Sequence, residues 1–413
     1  MTHFSRRALL AYGLFALPLA MLALPVYVLV PQLYASRFGL SLSAIGSVLL
    51  AARVLDAFVD PAVGLWIDRT KSARGYNAFV VMALPMLVAG YLALFHPPAL
   101  HDTALLVWFA GSLLVVYLGF SIATIAHNSW GAGLTQQRGE RARLTAMREG
   151  CALLGVILAA AVPALASLGW LSVLFVLTLG IAALVLLRQA PRADTVQLAH
   201  FSWTDLRLPF QQTAFRWLLA VFAANGIAAA IPATLFLFFA SDRLQLGHLS
   251  GLFLVLYFLA AACALPLWVA LAARLGESKA WLVSMLVAVA AFAWVAQLQP
   301  GALISFALIC LISGTALGAD LALPPALLAG VISAAGHSGQ REGAYFGAWS
   351  WMSKMNLALA AGISLPLLES LGYTPGHASD AGLRALVYAY AWLPCALKCL
   401  AAALLWRAPF KNL

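Results

Sequence analysis

Twelve long apolar runs, separated by short stretches of glycine, proline or charge, leave this chain few folds to choose from. They lie at about 9–35, 42–67, 77–96, 104–130, 144–168, 170–188, 213–240, 249–273, 280–299, 302–334, 343–368 and 383–406. Roughly 20 apolar residues cross a bilayer as a helix. Because backbone in lipid must satisfy its own hydrogen bonds, each run reads as a helix. Of 413 residues, 64% are hydrophobic and 9% charged, against about 45–50% and about 25% in soluble domains. The expected class is an all-α membrane protein with twelve transmembrane helices. A soluble enzyme, a nucleic-acid binder and a disulfide-rich secreted module are excluded as first readings.

The formal charge of +10 reflects topology more than an anionic partner. With the N-terminus inside, eighteen cations fall on the cytoplasmic side, three on the other, and Arg53, Lys354 and Lys398 within spans. The positive-inside rule then makes both termini cytoplasmic. The expected location is the cytoplasmic (inner) membrane, crossed many times. Five cysteines form no Cys-x-x-Cys motif, so neither a zinc site nor a disulfide framework is indicated. Arg6 and Arg7 precede a run too long for a signal peptide, which reads as a retained first span.

A polar stretch divides the spans into residues 1–188, a linker at 189–212 and residues 213–413, two six-helix bundles flanking one cytoplasmic loop. Such duplication places a solute path between repeats. The loop after span 2 reads Gly64-x-x-x-Asp68-Arg69-x-Lys71, and a degraded counterpart follows span 8 around Arg274, Gly276 and Lys279. The pair resembles the conserved loop of the major facilitator superfamily. That resemblance implies a gating role for Gly64, Asp68 and Arg69.

Charges inside a span cost about 2.5–3.5 kcal/mol each on insertion scales and need a reason. Arg53, Asp56 and Asp60 are spaced to share one face of span 2. Arg53 with Asp56 could be a structural ion pair. Two carboxylates one turn apart also suit a cation or proton, which would relieve their repulsion.

The run Arg53-Val-Leu-Asp56-Ala-Phe-Val-Asp60-Pro61 through Asp68-Arg69-Thr70 is similar to span 2 of the glycoside–pentoside–hexuronide:cation symporters. The resemblance recurs at Glu140-Arg141-Ala-Arg143 through Arg148, and at Gly339-Gln-Arg341-Glu342-Gly343 through Lys354. It implies a coupling site for Na+ or H+ at Asp56 and Asp60, with Arg148 and Lys354 near solute or in the charge network. Family acids are absent at several places, including those after span 10, which are replaced around Gly330 and Ser333. None lies between Tyr12 and Tyr27, and Thr124 stands at the span-4 position. Sugar binding is thereby weakened as an expectation, whereas Thr124 can still offer a hydroxyl oxygen to a cation.

Asp320 is the one acid inside the spans of the second half, and it is expected to pair with Lys354 on the next helix. Asn128, Arg148 and Glu149 form a polar cluster, and Asn225, Tyr257, Trp351 and Asn356 are candidate cavity residues. The chain carries no phosphate-binding glycine loop, no His-Glu-x-x-His and no nucleophile elbow, so an enzyme is not expected. The reading is a monomeric secondary transporter of a small organic solute, using no cofactor beyond a coupling ion, with the lipid bilayer and the solute as partners. An anionic or zwitterionic solute stands level with a glycoside. A lysolipid or amphiphile transporter and a proton-coupled exporter are alternatives of the same fold; a non-transporting receptor has no positive support.

Overall fold

The computed structural model describes residues 4–100, 102–134, 138–191, 207–337, 342–376 and 379–410. Among these, every regular element is a helix. Span 1 comprises α1 (Arg6–Gly13) and α2 (Ala16–Gln32), interrupted at Leu14 and Phe15. Next come α3 (Leu42–Phe95), α4 (Asp102–Leu134), α5 (Arg138–Leu165) and α6 (Leu168–Gln189). The second half holds a short α7 (Leu208–Gln211), then α8 (Thr213–Phe238), α9 (Ser250–Leu275), α10 (Glu277–Val295) and α11 (Leu303–Ala334). It closes with α12 (Glu342–Ser370), α13 (Asp380–Val387) and α14 (Leu393–Arg407).

α3 is two spans in one. Gly75, at φ 63° and ψ 172°, turns the chain between them. That left-handed φ is open to glycine and strained for most residues. Eleven of the described segments are long and apolar enough to cross a membrane. The twelfth expected span, 343–368, falls within α12, which is 29 residues long. Lys354 and Asn356 interrupt its apolar run.

The chain forms two compact units, residues 1–30 with 51–199 and residues 31–50 with 200–413. Within the second, the Ser43 amide donates to Glu369 and the Gln32 amide to the Ser241 hydroxyl, which ties residues 31–50 to it.

Helices in lipid gain little from hydrophobic burial against one another, so close packing through small residues has to hold them. In the first unit Gly155 of α5 lies against the carbonyl of Leu17, and in the second Gly314 of α11 lies against that of Tyr257. A methyl group at either position would fall onto the facing oxygen. Large side chains fill the remaining space. Tyr91 stacks on Phe175 at 4.3 Å in the first unit, and Trp281, Phe215 and Tyr345 are fully buried in the second.

Candidate functional site

In the first unit α3 and α4 bring a carboxylate and a hydroxyl together. Asp56 is only 5% exposed. Its Oδ1 accepts from the Ser121 hydroxyl at 2.7 Å, while Oδ2 lies 3.5 Å from the Arg53 guanidinium. Arg53 in turn sits over the Tyr117 ring, 4.1 Å from its centroid, where the electron-rich face stabilises a cation that has left water. The Arg53–Asp56 pair expected from the spacing therefore exists, loosely held.

Asp60 follows Asp56 by four residues on α3, and Thr124 follows Ser121 by three on α4. Each step is about one helical turn. The two helices are alternate spans joined through one antiparallel neighbour, so they run the same way and Asp60 and Thr124 occupy the next level. The Thr124 hydroxyl oxygen is buried and has no hydrogen-bond partner. A buried hydroxyl usually finds one. Asp56 and Ser121 thus set a carboxylate beside a hydroxyl, oxygen groups of the kind a hard cation takes. Ser121, the hydroxyl that reaches Asp56, was not singled out from the sequence.

The polar cluster on α4 and α5 also forms. Arg148 donates to Asn128 Oδ1 at 2.6 Å and to Glu149 Oε1 at 2.7 and 3.2 Å. Its charge is thus already partnered. Beside it, the Tyr12 hydroxyl donates to the His127 carbonyl at 3.2 Å, and His127 Nε2 lies 2.9 Å from the Tyr12 carbonyl. The break after α1 frees that carbonyl from the helix ladder, and the imidazole takes the place of the missing amide. Gly64 is half-buried in α3. The side chains of Asp68 and Arg69, expected at the gate, lie outside the described residues.

The second unit corrects one expectation. Asp320 pairs with Lys398 of α14, at 3.0 Å, and not with Lys354. The reason is the packing order. α11 packs mainly against α9 and α10, and α10 packs against α14, whereas α12 packs chiefly against α8. α12, although next in sequence, therefore barely meets α11 in the bundle. Two further donors converge on Asp320: the Trp281 indole at 2.7 Å and the Asn225 amide at 3.0 Å, both on Oδ1. Trp281 carries no signal in the sequence, and Lys398 stands out there only as a cation within a span.

Asn356 of α12 is 4% exposed and donates to the Phe222 carbonyl at 3.3 Å. Lys354 is half-buried on the same helix. Trp351 is 43% exposed. Tyr257 lies with its ring edge-on to Phe258 and its carbonyl against Gly314. No cluster of three or more metal-binding side chains occurs among the described residues.

An all-helical bundle with buried, hydrogen-bonded charges inside its spans suits a membrane transporter. Residues 9–412 match the family described as MFS/sugar transport protein, and the chain belongs to that family. It is a transporter, not an enzyme. It is 25% identical over 395 residues to the isoprimeverose transporter of Lactiplantibacillus pentosus, covering 87% of this chain and 80% of that one. It is 28% identical over 165 residues to an uncharacterized symporter, YnaJ, of Bacillus subtilis, covering 37% of this chain. There the match spans only about a third of the relative's length, 34%. Among solved structures, the nucleoside transporter NupG aligns with a TM-score of 0.68 at 13% identity, covering 97% of this chain and 99% of that one. A bacterial homolog of the human lysosomal transporter Spinster aligns at 0.71 and 15%, covering 98% of each. These two likenesses carry the fold alone.

Proposed function

We propose that this protein is a cation-coupled symporter of a neutral, hydroxyl-rich solute of the sugar class. It works as a monomer in the cytoplasmic membrane with both termini inside. The observation that carries the coupling is Asp56, a buried carboxylate with the Ser121 hydroxyl on one oxygen and Arg53 loosely on the other. Na+ or H+ arriving there would compete with Arg53 for the charge. Arg53, held over the Tyr117 ring, serves as the counter-charge of the carboxylate before the ion arrives. Thr124 and Asp60, one turn further on, complete the oxygen set.

Neutrality of the solute is supported by the cations' own partners. Arg148 is taken up by Glu149 and Asn128, and Lys398 by Asp320. A paired cation attracts an anion far less than an isolated one. The names of the family and of the isoprimeverose transporter agree with a sugar.

The test is uptake into proteoliposomes of isoprimeverose, melibiose, a carboxylate and a lysolipid, each with an imposed Na+ gradient or pH gradient. Sugar accumulation driven by one of the gradients is expected. Uptake of only the carboxylate or the lysolipid would overturn the solute assignment, and sugar uptake indifferent to both gradients would overturn the coupling.

A further inference from the structure

We propose that Asn225 and Asn356 form a hydroxyl-recognising subsite in the second unit, whose two buried amide oxygens accept hydrogen bonds from the solute. The inference rests on the neutral-solute reading above and assigns it a place. Asn225 is 3% exposed and Asn356 4%, and the Oδ1 of each has no hydrogen-bond partner. Buried polar atoms left in this condition are uncommon and call for an explanation.

Rotating the amides does not remove the problem. Asn225 points its NH2 at Asp320 Oδ1, at 3.0 Å. Turned over, it would set oxygen against a carboxylate that already takes the Trp281 indole and the Lys398 ammonium. Indole and ammonium have only protons to give, so Asp320 acts purely as an acceptor there. Asn356 points its NH2 at the Phe222 carbonyl, and turning it over would likewise oppose two acceptors. Both oxygens are therefore fixed as acceptors, and what they lack is a donor.

Both amides sit at α8, which carries Asn225 and which Asn356 approaches from α12. Asn356 reaches α8 beside Gly226, the residue after Asn225, and a β-carbon at Gly226 would collide with its amide nitrogen. One turn away the Phe222 and Trp349 rings stack at 3.7 Å. A few fixed polar atoms beside an aromatic wall is a common composition for small-molecule sites. A cation is the poorer fit, because Lys398 already neutralises the cluster's one carboxylate. A hydroxyl donates a proton without bringing charge. Both oxygens are enclosed in the conformation described, so the donor would reach them as α8 and α12 shift during transport.

The test uses purified full-length protein, tracer binding of isoprimeverose, and the melting temperature without ligand. Leucine branches at the same carbon as asparagine. Asn356→Leu should weaken binding about tenfold, the loss of one good hydrogen bond. It should leave the unliganded melting temperature nearly unchanged, because loss of the hydrogen bond to the Phe222 carbonyl is offset by removal of the unsatisfied acceptor. Gly226→Ala, which displaces the Asn356 side chain without altering it, should reproduce the weakened binding. Full binding in both variants would mark the pair as a buried water or packing site and overturn the subsite alone. A lower unliganded melting temperature in Asn356→Leu would also overturn it, by showing a structural role. No binding of isoprimeverose, melibiose or xylose to the unaltered protein would remove the sugar reading and the subsite with it.

Discussion

Lys398 and Asp320 face each other across the second unit at 3.0 Å, each side chain 11% exposed. Burying two charges this far costs several kcal/mol apiece, and their attraction offsets that only while both are present. Asp320→Leu or Lys398→Leu alone should therefore lower stability by about 3–5 kcal/mol, since each strands the other charge. The double variant should recover most of that loss. Thermal unfolding of the three variants in one detergent checks this, and strictly additive losses would show that the pair is not coupled.

Asp56 should separate driving from binding. Asp56→Asn removes the charge that attracts the coupling ion, so gradient-driven accumulation should fall by at least about tenfold, the equivalent of 1.4 kcal/mol. Exchange of solute down its own gradient should persist. Ser121→Ala deletes a hydrogen bond to a charged group, worth about 1.5–3 kcal/mol. It should raise the ion concentration needed for half-maximal uptake while sparing the maximal rate. Loss of exchange in Asp56→Asn would place that carboxylate on the solute instead.

What the sequence disclosed and what it withheld divide along physical lines. Hydropathy marks spans because lipid enforces helix on every apolar run, and the i, i+3 spacing of Arg53 and Asp56 is a contact within one helix. Both are local properties. The partner of Asp320 is not, because it depends on which helices pack together, and Lys398 lies 78 positions away on α14, which packs against α8 and α10. Ser121 gave no signal beyond being a small polar residue in a span. Its meaning came from the register of α4 against α3.

Tyr373, in the turn after α12, carries a pH dependence of definite sign. Burial raises its phenol well above the ordinary value near 10, and its hydrogen bond to Asp242, at 2.6 Å, raises it further. The unfolded phenol therefore ionises first. The stability this group contributes is complete below about pH 10 and declines as pH rises beyond the unfolded value toward the higher folded one. The unaltered protein should lose melting temperature more steeply than Tyr373→Phe between about pH 9.5 and 11. Parallel curves would show that the phenol titrates alike in both states.

One helix offers the same substitution with opposite outcomes. Gly155 and Gly150 both lie within α5. A β-carbon at Gly155 would strike the carbonyl oxygen of Leu17, whereas one at Gly150 has no neighbouring atom within 4 Å. Alanine is favoured over glycine in a helix interior by roughly 0.5–1 kcal/mol. That preference acts at both positions, so the difference between them isolates the packing cost. Gly150→Ala should raise stability by about that amount. Gly155→Ala must push α2 and α5 apart, which costs about 1–3 kcal/mol in a packed interior. It should lower the melting temperature despite its better helix propensity. Since backbone carbonyls in a helix cannot swing aside as a flexible side chain can, relaxation should recover little of the loss. Equal shifts in the two variants would show that the approach of α2 to α5 does not govern the stability of the first unit.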